Sequence, residues 1–157
     1  MIRPIEEGDV EACSALLARL PAWFGIPEVN AGYVESLREL PAWVAVEAGT
    51  VVGFAAALSH TPGSTEISVM AVDPDLHRRG YGRALVAAVE AWCRDNGVAW
   101  LHVKTRGAST YDDDYERTRR FYLAMGFEML YESLTEWGEE NAALVLVKHL
   151  ERESVRA

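Results

Sequence analysis

Cysteine is scarce in this chain. Two residues, Cys13 and Cys93, stand far apart in 157, each inside a helix-like pattern. That argues against a disulfide framework. No Cys or His lies at ligand spacing from another, so the spacing predicts no metal site and two buried structural thiols instead. Long apolar runs are lacking, which argues against a membrane-spanning helix. Positive charge is in deficit as well: 15 Lys and Arg against 24 Asp and Glu leave a formal net charge of −9. A general nucleic-acid or anionic-membrane surface needs the opposite balance. The first residues, MIRPIEEGDVEA, lack the basic-then-apolar build of a secretory leader, and a soluble cytoplasmic protein is expected. Repeats, low-complexity stretches and linkers are missing too, so residues 1–157 are expected to form a single domain.

Against this acidic background, the run over residues 65–84, TEISVMAVDPDLHRRGYGRA, holds a local basic cluster. A strand-like segment ends at Val72, a turn comes next at Asp73-Pro74, and His77-Arg78-Arg79-Gly80-Tyr81-Gly82 leads into a helix-like pattern. Glycines let the backbone approach a ligand closely. The free N–H groups and dipole of a first helical turn favour an anion. The expected ligand is a phosphate or pyrophosphate.

Around that run, a short strand is predicted over 2–5. A helix capped by Asp9 comes next, with Cys13, Leu16, Leu17 and Leu20 on one face, closed by Pro21. Residues 21–27 form an aromatic loop and 29–40 a second helix. Strands over 43–46 and 51–58 make a hairpin through Gly49, with a loop over 60–64. A strand over 65–72, a helix over 80–96 and a strand over 98–104 form a β-α-β unit, for which a right-handed parallel crossover is expected. A polar loop over 107–114, a helix over 115–125 and strands over 127–134 and 142–149 complete the chain. The order β-α-α-β-β-β-α-β-α-β-β predicts a mixed sheet flanked by helices, an α/β (α+β) class.

Three phosphate-binding patterns compete for residues 77–82. A P-loop requires Gly-Lys followed by Ser or Thr, and this chain has Gly82-Arg83-Ala84. A dinucleotide fingerprint requires a third glycine where Leu85 stands, and an acid at the end of the next strand, where His102 and Lys104 stand. The third pattern, Gln/Arg-x-x-Gly-x-Gly/Ala, is the acyl-CoA loop of the GNAT N-acetyltransferase superfamily. His77-Arg78-Arg79-Gly80-Tyr81-Gly82 resembles it, with His77 where Gln or Arg is more usual. Downstream, Phe121-Tyr122-Leu123-Ala124-Met125-Gly126-Phe127 is similar to the same family's Phe-Tyr-x-x-x-Gly-Phe element. The resemblance implies the GNAT fold: a mixed, mostly antiparallel sheet with a central β-α-β acyl-CoA unit.

The same resemblance implies a chemistry and a role for each matching residue. Acetyl-CoA is the co-substrate, and an amine attacks its thioester directly, making the chain an acyltransferase. Backbone N–H groups of Arg79, Gly80, Tyr81 and Gly82, with the turn at Arg83 and Ala84, hold the pyrophosphate, and His77 and Arg78 add charge. Main-chain groups of Met70 and Val72 pair with the pantetheine arm. The Met70 N–H faces the thioester oxygen as oxyanion donor. Glu66 occupies a position where several family members carry a catalytic glutamate. It lies about 13 Å along a strand from Met70, which favours a water relay over direct contact. The alternative is an exposed edge glutamate at a strand start. Tyr122 is the candidate acid for the departing thiolate, the alternative being a packed helix tyrosine. The family's upstream asparagine is replaced here by Tyr115.

The acceptor side is left to Trp23, Phe24 and Tyr33 as an aromatic wall and to Asp112, Asp113, Asp114 and Trp137 as a rim. Core aromatics and a solvated acidic loop are the plainer reading of the same residues. His60, His102 and His149 are expected to be packed or surface histidines. The implied partners are acetyl-CoA and an amine, with homodimerisation a family habit. Two rivals remain: an acyl-CoA-binding sensor or interaction module without amine turnover, and a structural domain that binds no CoA.

Overall fold

The computed structural model describes residues 1–107, 113–138 and 140–151. Among these, the elements keep the predicted order: β1 (Ile2–Pro4), α1 (Val10–Ala18), α2 (Pro27–Ser36), β2 (Ala42–Glu47), β3 (Thr50–Thr61), β4 (Ser64–Val72), α3 (Tyr81–Asp95), β5 (Trp100–Arg106), α4 (Asp113–Ala124), β6 (Glu128–Ser133) and β7 (Ala143–His149). The strands form one sheet in the order β1-β2-β3-β4-β5-β7-β6. The pairs β1–β2, β2–β3, β5–β7 and β6–β7 are antiparallel. This is the mixed, mostly antiparallel sheet with flanking helices that the sequence predicts. No helix among the described residues is long and apolar enough to cross a membrane.

The chain divides into two compact units, Met1–Leu58 with Ile67–Trp92, and Ser59–Glu66 with Cys93–Ala157. In the first, the helical spacing of α1 works as predicted: Cys13, Leu16, Leu17 and, just past the helix, Leu20 are all buried. They pack with Leu37, Val44, Phe54, Ala56, Val69 and Ala71. Burial pushes the Cys13 thiol up to about 12, with the Asp9 charge adding to it, so the thiol stays protonated and unreactive. Phe54 is fully buried at the centre of this cluster. Phe54→Ala is expected to cost about 3–5 kcal/mol of unfolding free energy, read from the denaturant midpoint. A loss under about 1 kcal/mol would show that the cluster is not the core.

The expected Asp9 cap is not made. Asp9 ends a 3-10 turn, Glu7–Asp9, and makes no side-chain cap bond to α1. Its carboxylate accepts two hydrogen bonds from the Arg3 guanidinium, at 2.7 and 3.0 Å, and one from the Glu6 N–H at 2.8 Å. A forked, charge-assisted pair is stronger than a single cap bond, and β1 brings Arg3 within reach. The second helix also shifts, starting with Pro27 at its N-terminus and stopping at Ser36.

In the second unit, β7 lies between β5 and β6. α4 starts two residues before the predicted boundary. Asp113, Asp114 and Glu116 fill its first turn, where negative charge favours a helix start. Gly126, at φ 92°, reverses the chain after it. The Phe127 N–H then closes on the Tyr122 carbonyl at 3.1 Å, a helix-ending bond that needs the left-handed residue. The largest correction concerns β3. It runs to Thr61, where the sequence predicts a loop from 60, and the turn to β4 shrinks to Pro62 and Gly63. His60 is therefore a strand residue.

Candidate active site

In the first unit, β4 ends at Val72 and the chain turns through Asp73. The Asp73 carboxylate accepts the Asp75 N–H at 3.0 Å and a hydrogen bond from Arg19 at 2.6 Å. Burial pushes this carboxyl up, but the Arg19 and Asp75 hydrogen bonds outweigh it and hold it below the ordinary range. Residues 77–80 are exposed, and two of them have left-handed backbone: Arg78 at φ 65° and Gly80 at φ 87°. A Cβ at Gly80 would meet nothing within 4 Å. Glycine is needed there for its backbone angle and not for space. Arg78 lacks that freedom, and such a residue costs on the order of 1–3 kcal/mol, a strain that gathers at ligand-binding turns.

The helical ladder of α3 begins with the Ala84 N–H donating to the Gly80 carbonyl at 3.0 Å. The N–H groups of Tyr81, Gly82 and Arg83 precede that bond and have no acceptor within the helix. Around this cradle the side chains are tied back. His77 Nε2 lies 2.9 Å from the Val72 carbonyl, and its ring meets Trp23 edge-on at 5.8 Å. Arg79 lies 3.7 Å from Glu47. Burial and a hydrogen bond to the same Glu47 raise the Tyr81 phenol. Val72 and Met70, on β4, are both partly buried.

In the second unit a carboxylate cluster forms around Glu66, which is 8% exposed and so is not the exposed edge residue of the plainer reading. His60 Nε2 lies 2.8 Å from Glu66 Oε1, His102 Nε2 3.7 Å and Lys104 Nζ 3.8 Å. Lys104 also donates to Glu136 at 2.6 Å. Burial pushes the Glu66 carboxyl up. Hydrogen bonds from His102 and His60, with the charges of Lys104 and His102, overcome that and leave it below its ordinary value of 4.5. His102 and Lys104 alternate on β5 and so share a face, a sign already present in the sequence. His60 carries no such sign, because its polar segment reads as a loop, and Glu136 arrives from a bend 30 residues beyond β5.

Tyr122 is buried at 4% exposure, between Phe121 and Phe127, with ring centroids at 5.1 and 5.4 Å. Burial raises its phenol well above the usual value. Trp23, Phe24 and Tyr33 are partly buried against the core of the first unit. Trp137 is exposed, Asp113 and Asp114 open α4, and Asp112 lies outside the described residues. The His149 ring lies 4.7 Å from that of Trp100 and is tilted by 57° to it, a packed surface histidine as expected.

The loop at 77–84 and the Tyr122 element both fall within a longer match. The profile of the Acetyltransferase (GNAT) family fits residues 13–127. The chain belongs to this family. Among curated proteins, mycothiol acetyltransferase of Nocardiopsis dassonvillei is 38% identical over 64 residues, 41% of this chain and 18% of that protein. The matched stretch is thus under a fifth of the relative's length. Among solved structures, Ard1 from Thermoplasma volcanium superposes with a TM-score of 0.79 at 21% identity, over 97% of this chain and 98% of that one. An aminoglycoside 6′-N-acetyltransferase complexed with coenzyme A superposes with a TM-score of 0.77 at 17% identity, over 96% and 97%. At these identities the likeness shows a shared GNAT fold.

Proposed function

We propose that this GNAT family member moves an acetyl group from acetyl-CoA to a primary amine, of a small molecule or a peptide, by direct attack on the thioester. The observation that carries this reading is the backbone of residues 77–84. Two left-handed residues precede a helix start whose N–H groups are unpaired within the helix. That is a built site for a pyrophosphate, and the solved relative with coenzyme A bound supports it. In this reading Arg79 to Arg83 hold the pyrophosphate through main-chain N–H groups, with the turn at Ala84 behind them and Arg78 adding charge. His77, tied to the Val72 carbonyl, shapes the loop. Met70 and Val72 offer main-chain groups to the pantetheine arm, and the Met70 N–H stabilises the oxyanion. Such donors are typically worth about 3–4 kcal/mol.

The remaining roles fall to Glu66 and Tyr122. Tyr122 stays protonated at neutral pH because burial raises its phenol, and a protonated phenol is what a departing thiolate needs. Glu66 stays ionised, because its carboxyl lies below its ordinary value. It takes the proton of the amine through water. One observation favours binding without turnover: a carboxylate held by two imidazoles and an ammonium is a weak base. The same reading makes 1–157 a single domain working in the cytoplasm, where acetyl-CoA is available.

The test is a thermal-shift titration with acetyl-CoA, followed by thiol-release assays over polyamines, amino acids, aminoglycosides and peptide N-termini. Acetyl-CoA at a hundred times its dissociation constant is expected to add about 2.7 kcal/mol. No shift at millimolar acetyl-CoA would overturn the reading. A shift without thiol release from any amine would replace the transferase by the sensor.

A further inference from the structure

We propose that His60, Glu66 and His102 form a site for a borderline divalent transition-metal ion of the zinc, cobalt or nickel class. Each residue offers one ligand atom, a ring nitrogen of His60 and of His102 and a carboxylate oxygen of Glu66, and these all lie within 4.8 Å of one another. Among the described residues this is the group of His, Cys, Asp and Glu side chains so arranged. All three belong to the second unit, on β3, β4 and β5.

Two of the three donor separations are close to what such an ion needs, and the third, between the two histidines, lies within 4.8 Å. Bonds of about 2.0–2.2 Å in a tetrahedral arrangement put donor atoms about 3.3 Å apart. His60 Nε2 and His102 Nε2 lie 2.8 and 3.7 Å from Glu66 Oε1, so each changes by roughly half an ångström as an ion enters. The imidazole rings are 5.2 Å apart and tilted by 38°, and both turn Nε2 to the same carboxylate. The donor set chooses the metal. Two imidazoles and one carboxylate suit zinc, cobalt or nickel, whereas magnesium and calcium demand oxygen. Three protein ligands leave a coordination position for water or an exogenous ligand.

Access and charge are compatible with an ion. The His60 side chain is 42% exposed and opens the cluster to solvent, while that of Glu66 is 10% exposed. Lys104 is the opposing group, with its ammonium 3.8 Å from Glu66 Oε1, but its shorter contact is to Glu136 at 2.6 Å. Glu66 and Glu136 supply two carboxylates against the one Lys104 ammonium, an excess of negative charge that favours a cation. A bound ion takes the carboxylate proposed as proton acceptor, so the metal-loaded chain is expected to be inhibited as an acetyltransferase.

The site stands on this geometry alone. Its test uses neither acetyl-CoA nor an amine, so its failure leaves the acetyl-transfer reading intact. The chelator-treated full chain is titrated with cobalt(II) and followed by visible absorption, with zinc(II) as competitor and calorimetry for stoichiometry. The expected result is one ion per chain, visible bands of a four- or five-coordinate site, and displacement by zinc(II) but not by magnesium(II). His102→Ala and His60→Ala are expected to lose at least tenfold in affinity, and His149→Ala to keep it. Lys104→Met is expected to bind several-fold more tightly, because the opposing charge is gone. Should the alanine variants unfold by circular dichroism, His60→Gln and His102→Gln replace them, keeping size and a hydrogen-bonding group. No saturable binding at micromolar cobalt, binding that survives both histidine changes, or equal loss in His149→Ala would overturn the proposal.

Discussion

Gly82→Glu is expected to abolish the acetyl-CoA-dependent thermal shift while leaving the unliganded protein as stable as before or slightly more so. Gly82 is the second residue of α3, in the turn whose N–H groups are assigned to the pyrophosphate. Two effects of the substitution have opposite signs. A carboxylate in the first turn of a helix stabilises it by about 0.3–1 kcal/mol, and replacing a helical glycine contributes further in the same direction. Binding suffers from bulk where the backbone must approach the ligand and from like charge against a pyrophosphate. At an acetyl-CoA concentration of a hundred times the wild-type dissociation constant, the roughly 2.7 kcal/mol of ligand stabilisation should vanish. Gly82→Ala separates the two causes: the unliganded midpoint rises and binding is weakened without being lost. A full acetyl-CoA shift in Gly82→Glu would move the cofactor away from this loop.

Glu66→Gln is expected to lower kcat by about 10²–10⁴-fold with the acetyl-CoA dissociation constant unchanged. The amide keeps the size of the carboxylate and still accepts from His60, so the loss reports charge and proton acceptance, not shape. An unchanged kcat would remove Glu66 from the proton route. The same variant carries a stability signature in acid. The folded carboxyl lies below its ordinary 4.5. Its contribution to stability is therefore present above that ordinary value and lost as pH falls through the lower folded one. Denaturant midpoints should accordingly fall more steeply for the wild type than for Glu66→Gln below pH 4.5, and run parallel at neutral pH. Parallel curves throughout would mean that the cluster does not hold the carboxylate in its charged form.

The β-α-β unit and the buried face of α1 were legible because their signals are local. Cys13, Leu16, Leu17 and Leu20 repeat at the helical period, and one stripe suffices to say which side is buried. The loop was legible for a related reason: Gly80 sits where the backbone is left-handed, and few other residues take that conformation without strain. Arg78 shares the conformation, and nothing in its identity announced it.

Boundaries were less legible where a partner set them. Ser59, His60 and Thr61 have no apolar alternation, yet β3 runs through them, and hydroxyl pairs tie Ser59 to Thr65 and Thr61 to Ser64. Asp9 has the chemistry of a cap, but Arg3 claims its carboxylate.

By itself, the sequence determined the order of elements, the core face of α1 and the glycine turn that opens α3, because each depends on neighbours within a few positions along the chain. Only the tertiary structure decided the surroundings of Glu66. His60 on β3 and the pair His102 and Lys104 on β5 meet at one buried carboxylate, and Glu136 joins them only through Lys104. Strand pairing across the sheet fixes that meeting, and pairing partners are not written into local spacing.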